Sequence, residues 1–169
     1  MLVGCQPDDH VDASIGYVYF FRPCESRFRY TILTKLTQLA GYSRACHCAF
    51  GTAGIVVDMS YINGVRFFDA EDLERFHPSV TDRFAVPLSR APDLSLWNRY
   101  AGVPYRFMPV VRRCLSFNRT EFVYDCVCIV LSCLRMGGVN VPTRIATPGG
   151  LWRWCRGRGY PHVERRTST

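Results

Sequence analysis

The chain has 169 residues, of which 48% are hydrophobic and 21% charged, a globular mixture long enough for one domain with its own core. No apolar run approaches the ~20 residues of a membrane span, which excludes a spanning helix. The net charge of +7 is carried by arginine, Lys35 being the single lysine. These arginines are spread along the chain and gather only at Arg153, Arg156, Arg158, Arg165 and Arg166. A nucleic-acid groove needs clustered charge with aromatic platforms, so nucleic acid is not expected as a partner and a solvated basic face is.

Residues 1–13 read as a lead-in. The run Ile15-Gly-Tyr-Val-Tyr-Phe-Phe21 is β-branched and aromatic and is stopped by Arg22-Pro23, which predicts a first strand. Ile32, Leu36 and Leu39 have helical spacing, with Gly41 as a stop, and predict a helix over residues 31–40. Residues 45–50 and 54–59 are short apolar strands that fold around Gly51-Thr52. Asn63-Gly64 signals a hairpin turn before a strand over 65–68. Asp69 caps a short helix through Glu74, and residues 84–88 form another strand.

Residues 93–101 look helical and 102–105 form a turn. From Cys126 the chain reads as a buried helix, because Cys126, Ile129, Val130, Cys133 and Leu134 recur on one face of a 3.6-residue period. Asp125 caps its start and Gly137-Gly138 closes its end. Thr147-Pro148 opens a last short helix over 150–156. The order predicts an α+β fold with an antiparallel sheet packed against the late helix that carries Cys126. Residues 14–160 are expected as a single domain and 161–169 as a flexible basic tail.

The nine cysteines are odd in number and irregularly spaced, which makes a poor disulfide framework. Leu2-Val-Gly-Cys5 has the look of a lipoprotein box without a charged or apolar leader before it. Reduced thiols and a cytoplasmic location (a host's, if the chain is viral or from a phage) are the expectation. Cys128 and Cys133 extend the apolar helix and are expected to be buried and inert. Cys126 is different. In the first turn its sulfur lies near unpaired backbone N–H groups and the positive end of the helix dipole, where a thiol ionises more readily.

A thiolate nucleophile needs a base. Of the four histidines, His10 and His162 lie in the lead-in and tail and His77 precedes a proline; only His47 sits in an apolar strand, where its placement is rigid. The other reading of a histidine there is a satisfied core residue. Asp58, at the end of the next strand, lies beside His47 if the two strands pair, and would fix the imidazole. The alternative for Asp58 is an Asx turn over residues 60–63. Strand alternation points Cys46 and Cys48 away from His47, so these neighbours make a poor zinc site, and no metal or other cofactor is expected.

Several segments match a known pattern in order. Ser14-Ile-Gly-Tyr-Val-Tyr-Phe-Phe resembles an opening strand, His47-Cys-Ala-Phe a histidine strand, and Val56-Val-Asp58-Met with Gly64-Val65 an acid-bearing strand and its turn. Asp125-Cys126-Val-Cys-Ile-Val resembles a nucleophile motif, and Thr147-Pro-Gly-Gly-Leu151-Trp a closing element. Over residues 14–152 the chain thus resembles the circularly permuted branch of the papain-like, NlpC-type cysteine hydrolases. That branch holds bacterial and phage amidases and peptidases and relatives of lecithin-retinol acyltransferase. It departs from the pattern at Tyr17, where an acid is usual, and at Arg44-Ala-Cys before His47. The resemblance implies a permuted papain-like fold and a hydrolase with a Cys126–His47–Asp58 triad acting on a peptide, isopeptide or acyl substrate, which in a phage or virus includes a host protein. A non-enzymatic host-factor binder on the same fold and a basic nucleic-acid-associated protein are the other functions the residues allow.

Overall fold

The computed structural model describes residues 14–21, 45, 47–60, 64–76, 80–101, 125–145 and 147–164. The expected helix over 31–40, the lead-in before residue 14, the turn at 102–105 and the residues Cys46, Asn63 and His77 lie outside these.

Among the described residues six strands form one antiparallel sheet: β1 (Ile15–Phe21), β2 (His47–Thr52), β3 (Ile55–Ser60), β4 (Gly64–Asp69), β5 (Val80–Pro87) and β6 (His162–Glu164). Their spatial order is β4-β3-β2-β1-β5-β6. The helices are α1 (Ala70–Phe76), a 3-10 helix (Leu94–Tyr100), α2 (Cys126–Met136) and α3 (Pro148–Gly157). The class is α+β.

β1 lies inside the sheet, between β2 and β5, and its residues from Val18 to Phe21 are buried without interruption. Both faces are covered, which is why the strand reads as an unbroken apolar run instead of an alternating one. Alternation still sorts the side chains. Val18, Phe20, Cys48, Phe50, Val57, Met59, Phe84 and Val86 join Ile129, Val130, Cys133 and Leu134 of α2 in one core. Tyr19, Phe21, Ala49, Val56 and Val80 pack with Leu73 of α1 on the other side.

The β2–β3 hairpin pivots at Ala53-Gly54, both at positive φ, and not at the expected Gly51-Thr52. Gly51 belongs to β2, where an added Cβ would sit 2.9 Å from the Tyr19 ring, so this glycine serves close packing and not the turn. β5 starts at Val80, earlier than expected, because it pairs with the whole of β1 from Ile15↔Pro87 to Phe21↔Val80. The expected helix over 93–101 is the 3-10 helix, with Asp93 accepting from Ser95 N at 3.0 Å. The expected tail from residue 161 instead contributes an edge strand: Phe84 pairs with His162, whose Nε2 lies 2.7 Å from Asp82 Oδ1 and whose ring stacks on Phe84. A tail rich in charge is held by one histidine with an aromatic and an acid to dock on.

Helix α2 is fixed at both ends. At its start Asp125 Oδ1 accepts from Cys128 N at 2.7 Å, the cap expected from the sequence. At its end Val139 N donates to Leu134 O and Gly138 N to Arg135 O, both at 2.9 Å, the paired bonds of a Schellman closure with Gly138 at φ +82°. Ser89 N and Arg90 Nε, just beyond β5, donate to Gly137 O and Met136 O at 2.9 and 2.6 Å. The last carbonyls of the helix are thereby tied to the sheet. A Cβ at Gly138 would lie 1.9 Å from Ser89 Oγ on a backbone that disfavours any side chain. Gly138→Ala is therefore expected to destabilise the protein by about 1–3 kcal/mol in denaturant unfolding, and an unchanged midpoint would contradict this closure. Among the described residues no helix is long and apolar enough to cross a membrane.

Candidate active site

The β2–β3 ladder is short, with Phe50↔Val57, Gly51↔Val56 and Thr52↔Ile55 as its pairs. Beyond it β3 goes on pairing with β4 through Asp58↔Arg66, Met59↔Val65 and Ser60↔Gly64, while β2 goes on pairing with β1 through Phe20↔Cys48 and Phe21↔His47. The sheet splits here. α2 packs against both β2 and β3, and its N-terminus carries Cys126 to the first residues of β2.

The structure brings the three expected residues together. His47 opens β2 with a side chain 24% exposed, and its Nε2 hydrogen-bonds to Oδ1 of Asp58, which is completely buried. Nε2 is held by Asp58, and Cys126 lies near enough to the imidazole for the two groups to act on each other's charge. The Phe21 ring backs the imidazole at 5.2 Å between centroids. Cys126 itself is buried at the head of α2. Asp58 lies within β3, and its second oxygen, Oδ2, accepts from Arg66 Nη2 at 2.5 Å; residues 61–63, where the Asx-turn alternative falls, lie outside the described residues.

Two members of this cluster escape a sequence reading. Arg66 is placed opposite Asp58 by the β3–β4 register, and its guanidinium also lies over the Phe68 ring at 4.8 Å. The acid thus receives two cationic donors, one per oxygen, which is how a buried carboxylate is retained. Cys48 is the other. Alternation argued that His47 and its cysteine neighbours make a poor zinc site, yet both His47 and Cys48 lie near enough to Cys126 to act on its thiol. Cys48 points toward α2, as alternation requires, whereas His47 stands at the strand's first residue, beyond the β2–β3 ladder, where the imidazole has access to Cys126 as well as Asp58.

The electrostatics separate the thiols. Hydrogen bonding from the Cys48 side chain, which outweighs the effect of burial, together with the charge and hydrogen bond of His47, holds the Cys126 thiol well below its ordinary 9.0. Burial opposes charge on His47, but the Asp58 carboxylate and the Cys126 thiolate prevail and hold the imidazole well above its ordinary 6.5. The favoured state is a thiolate–imidazolium pair. Burial, with the neighbouring Cys126, pushes the Cys48 thiol up. Burial also pushes Cys133 and Cys155 up to about 12, so both are inert at neutral pH. Cys128 is only half-buried, not buried as expected: it lies in the first turn of α2, off the face that meets the sheet.

Among the described residues no three His, Cys, Asp or Glu side chains are grouped so as to hold a metal ion. No protein-family model, no curated protein and no solved structure matches the chain.

Proposed function

We propose that the protein is a cysteine hydrolase of the permuted papain-like, NlpC-type kind, cleaving an amide or ester carbonyl by thiol acyl transfer. The observation that carries this reading is one cluster of three side chains. A cysteine at a helix N-terminus meets an imidazole whose far nitrogen is held by a fully buried carboxylate.

Each member has a task. The Cys126 thiolate attacks the carbonyl carbon, and the electron pair of the C=O bond moves to oxygen. The imidazolium of His47 gives its proton to the departing amine or alcohol, leaving a thioester on Cys126. His47, now neutral, takes a proton from water, which attacks the thioester; the acid departs and the thiolate–imidazolium pair is restored. Asp58 fixes the ring by holding Nε2. The oxyanion meets the head of α2. Asp125 takes the Cys128 N–H, whereas the N–H of Cys126, at the first helical position, has no acceptor within the helix and is the backbone donor of the proposed oxyanion site. The substrate class is peptide, isopeptide or acyl ester.

Trapping tests the proposal. Incubation with a small activated ester such as p-nitrophenyl acetate, followed by peptide mass mapping, is expected to place one acetyl group on Cys126. Acetylation confined to other residues, or none, would overturn the reading.

The pH dependence has a definite sign. The attacking form appears as pH rises through the depressed value of Cys126, well below 9.0, and the protonated imidazole is lost as pH rises through the raised value of His47, well above 6.5. Turnover should follow a bell between these two limits. The same shifts bear on stability. The His47 contribution is full below 6.5 and lost as pH rises through its raised value, while that of Cys126 is full above 9.0 and lost as pH falls through its depressed value. A rate that climbs only near pH 9, as for a free thiol, would show that no ion pair forms.

A further inference from the structure

We propose that Arg66 is a positioning residue of the site: its guanidinium holds Oδ2 of Asp58, which fixes Oδ1 on His47 and supplies the positive charge that balances the buried carboxylate. This rests on the cysteine-hydrolase reading above.

The placement comes from the register of the sheet. Asp58 pairs with Arg66 and Val56 with Phe68, so these four side chains share one face of β3 and β4. It is the face away from α2: Val56 packs with Tyr19, Phe21 and Ala49, whereas Val57, Met59 and Val65 join the core under the helix. His47, two residues before Ala49, extends the row onto β2. Arg66 Nη2 donates to Asp58 Oδ2 at 2.5 Å, and the guanidinium lies over the Phe68 ring at 4.8 Å with its Nε shut off from solvent. The arginine side chain is 26% exposed and the acid fully buried, so the cation reaches inward from the rim to meet the carboxylate. Standing on the other face, Arg66 acts on Cys126 through Asp58 and His47.

This contact has two consequences. A carboxyl group turns about its own bond to the chain, and a charged donor on one oxygen fixes where the other oxygen points. Charge is the second. The attacking state sets a thiolate and the Asp58 carboxylate against a single imidazolium, and surplus negative charge in a buried site is relieved by taking up a proton. The guanidinium is the second cation that lets the acid and the thiolate stay ionised together. Among the described residues, the other titratable groups beside this row are Cys48 of β2 and Asp125 of α2, with Glu71 and Asp72 in the first turn of α1 on the same face. Asp125 accepts from Cys128 N at the positive end of α2, and none of these groups is a cation that could replace Arg66. Removing the guanidinium therefore makes the Cys126 thiolate harder to form and the His47 imidazolium harder to lose.

The test compares the parent with Arg66→Met, Arg66→Gln and Arg66→Lys, using p-nitrophenyl acetate turnover across pH and Tm for each. Arg66→Met and Arg66→Gln are expected to lose about one to two orders of magnitude in kcat with KM within about twofold of the parent's. Both limbs of their bell should move up together, by about half a pH unit or more. Arg66→Lys keeps the charge without the planar fork, so its limbs should stay near the parent's while kcat falls only a few-fold. A merely structural role would lower Tm and leave the limbs in place. If neither neutral variant folds, the Asp58 carboxyl carbon of the parent is followed by 13C NMR, with Asp58→Asn to assign it: an acid that stays ionised across the bell upholds the role, and one that titrates within it overturns the role. If the parent acetylates Cys126 and turns over ester, but folded Arg66→Met and Arg66→Gln keep its kcat and both limbs, the role of Arg66 is overturned and the hydrolase reading stands. If the parent does neither, both fall together.

Discussion

Cys126→Ala is expected to abolish hydrolysis and ester trapping altogether while leaving a folded protein. The nucleophile is the atom that forms the covalent intermediate, and among the described residues no neighbouring thiol is suited to replace it: burial pushes the Cys48 thiol up, and that of Cys133 up to about 12. The packing loss is small, because one sulfur is removed at a helix start whose cap, the Asp125 bond to Cys128 N, is untouched. Circular dichroism and Tm close to the parent's, with activity down to the uncatalysed rate, is the expected pair of results. Cys128→Ala provides the contrast. Half-buried and off the core face, Cys128 should be replaceable with a cost of about 1 kcal/mol or less and with activity retained. A dead but folded Cys128→Ala beside a working Cys126→Ala would move the nucleophile to the other cysteine.

Asp58→Asn should be the next most damaging change. The substitution keeps the shape and removes the charge that His47 and Arg66 share. An amide offers only one acceptor, so one of the two cationic partners loses its bond, and the imidazolium loses the carboxylate that holds its pKa up. A fall in kcat/KM of about two to four orders of magnitude is expected, in the range seen when a triad acid is neutralised. The Cys126 thiol should titrate at higher pH, because it loses part of its imidazolium partner. Stability should fall by about 1–3 kcal/mol, as for a charged hydrogen bond broken beside a buried group. A variant with the parent's rate and the parent's thiol titration would reduce the site to a Cys126–His47 dyad.

Helix α2 was legible to a high degree. Its apolar face, its Asp125 cap and its glycine closure are all local features, since capping and periodicity act within a few residues of the chain. The same holds for β1 and for α3, whose Thr147 side chain accepts from Gly150 N at 3.1 Å. Where a boundary depended on a partner strand, the local reading slipped. β5 is as long as β1 requires, and His162–Glu164 forms a strand because β5 has a free side for it.

The division is clearest at the site. Sequence by itself determined that Cys126 opens a helix, that His47 lies in a strand and that Asp58 follows in the next one, because each statement concerns a residue and its own element. Only the tertiary structure decided what these residues meet. The register of β3 and β4 puts Arg66 against Asp58, a pairing across a turn that no local pattern encodes. The early end of the β2–β3 ladder lets His47 meet both Asp58 and Cys126, although alternation sends its neighbour Cys48 to the opposite face. The packing of α2 over β2 then places Cys48 in the same core as Cys126. These are contacts between distant segments, set by how the sheet splits and how the helix settles on it, and propensity and periodicity say nothing about either.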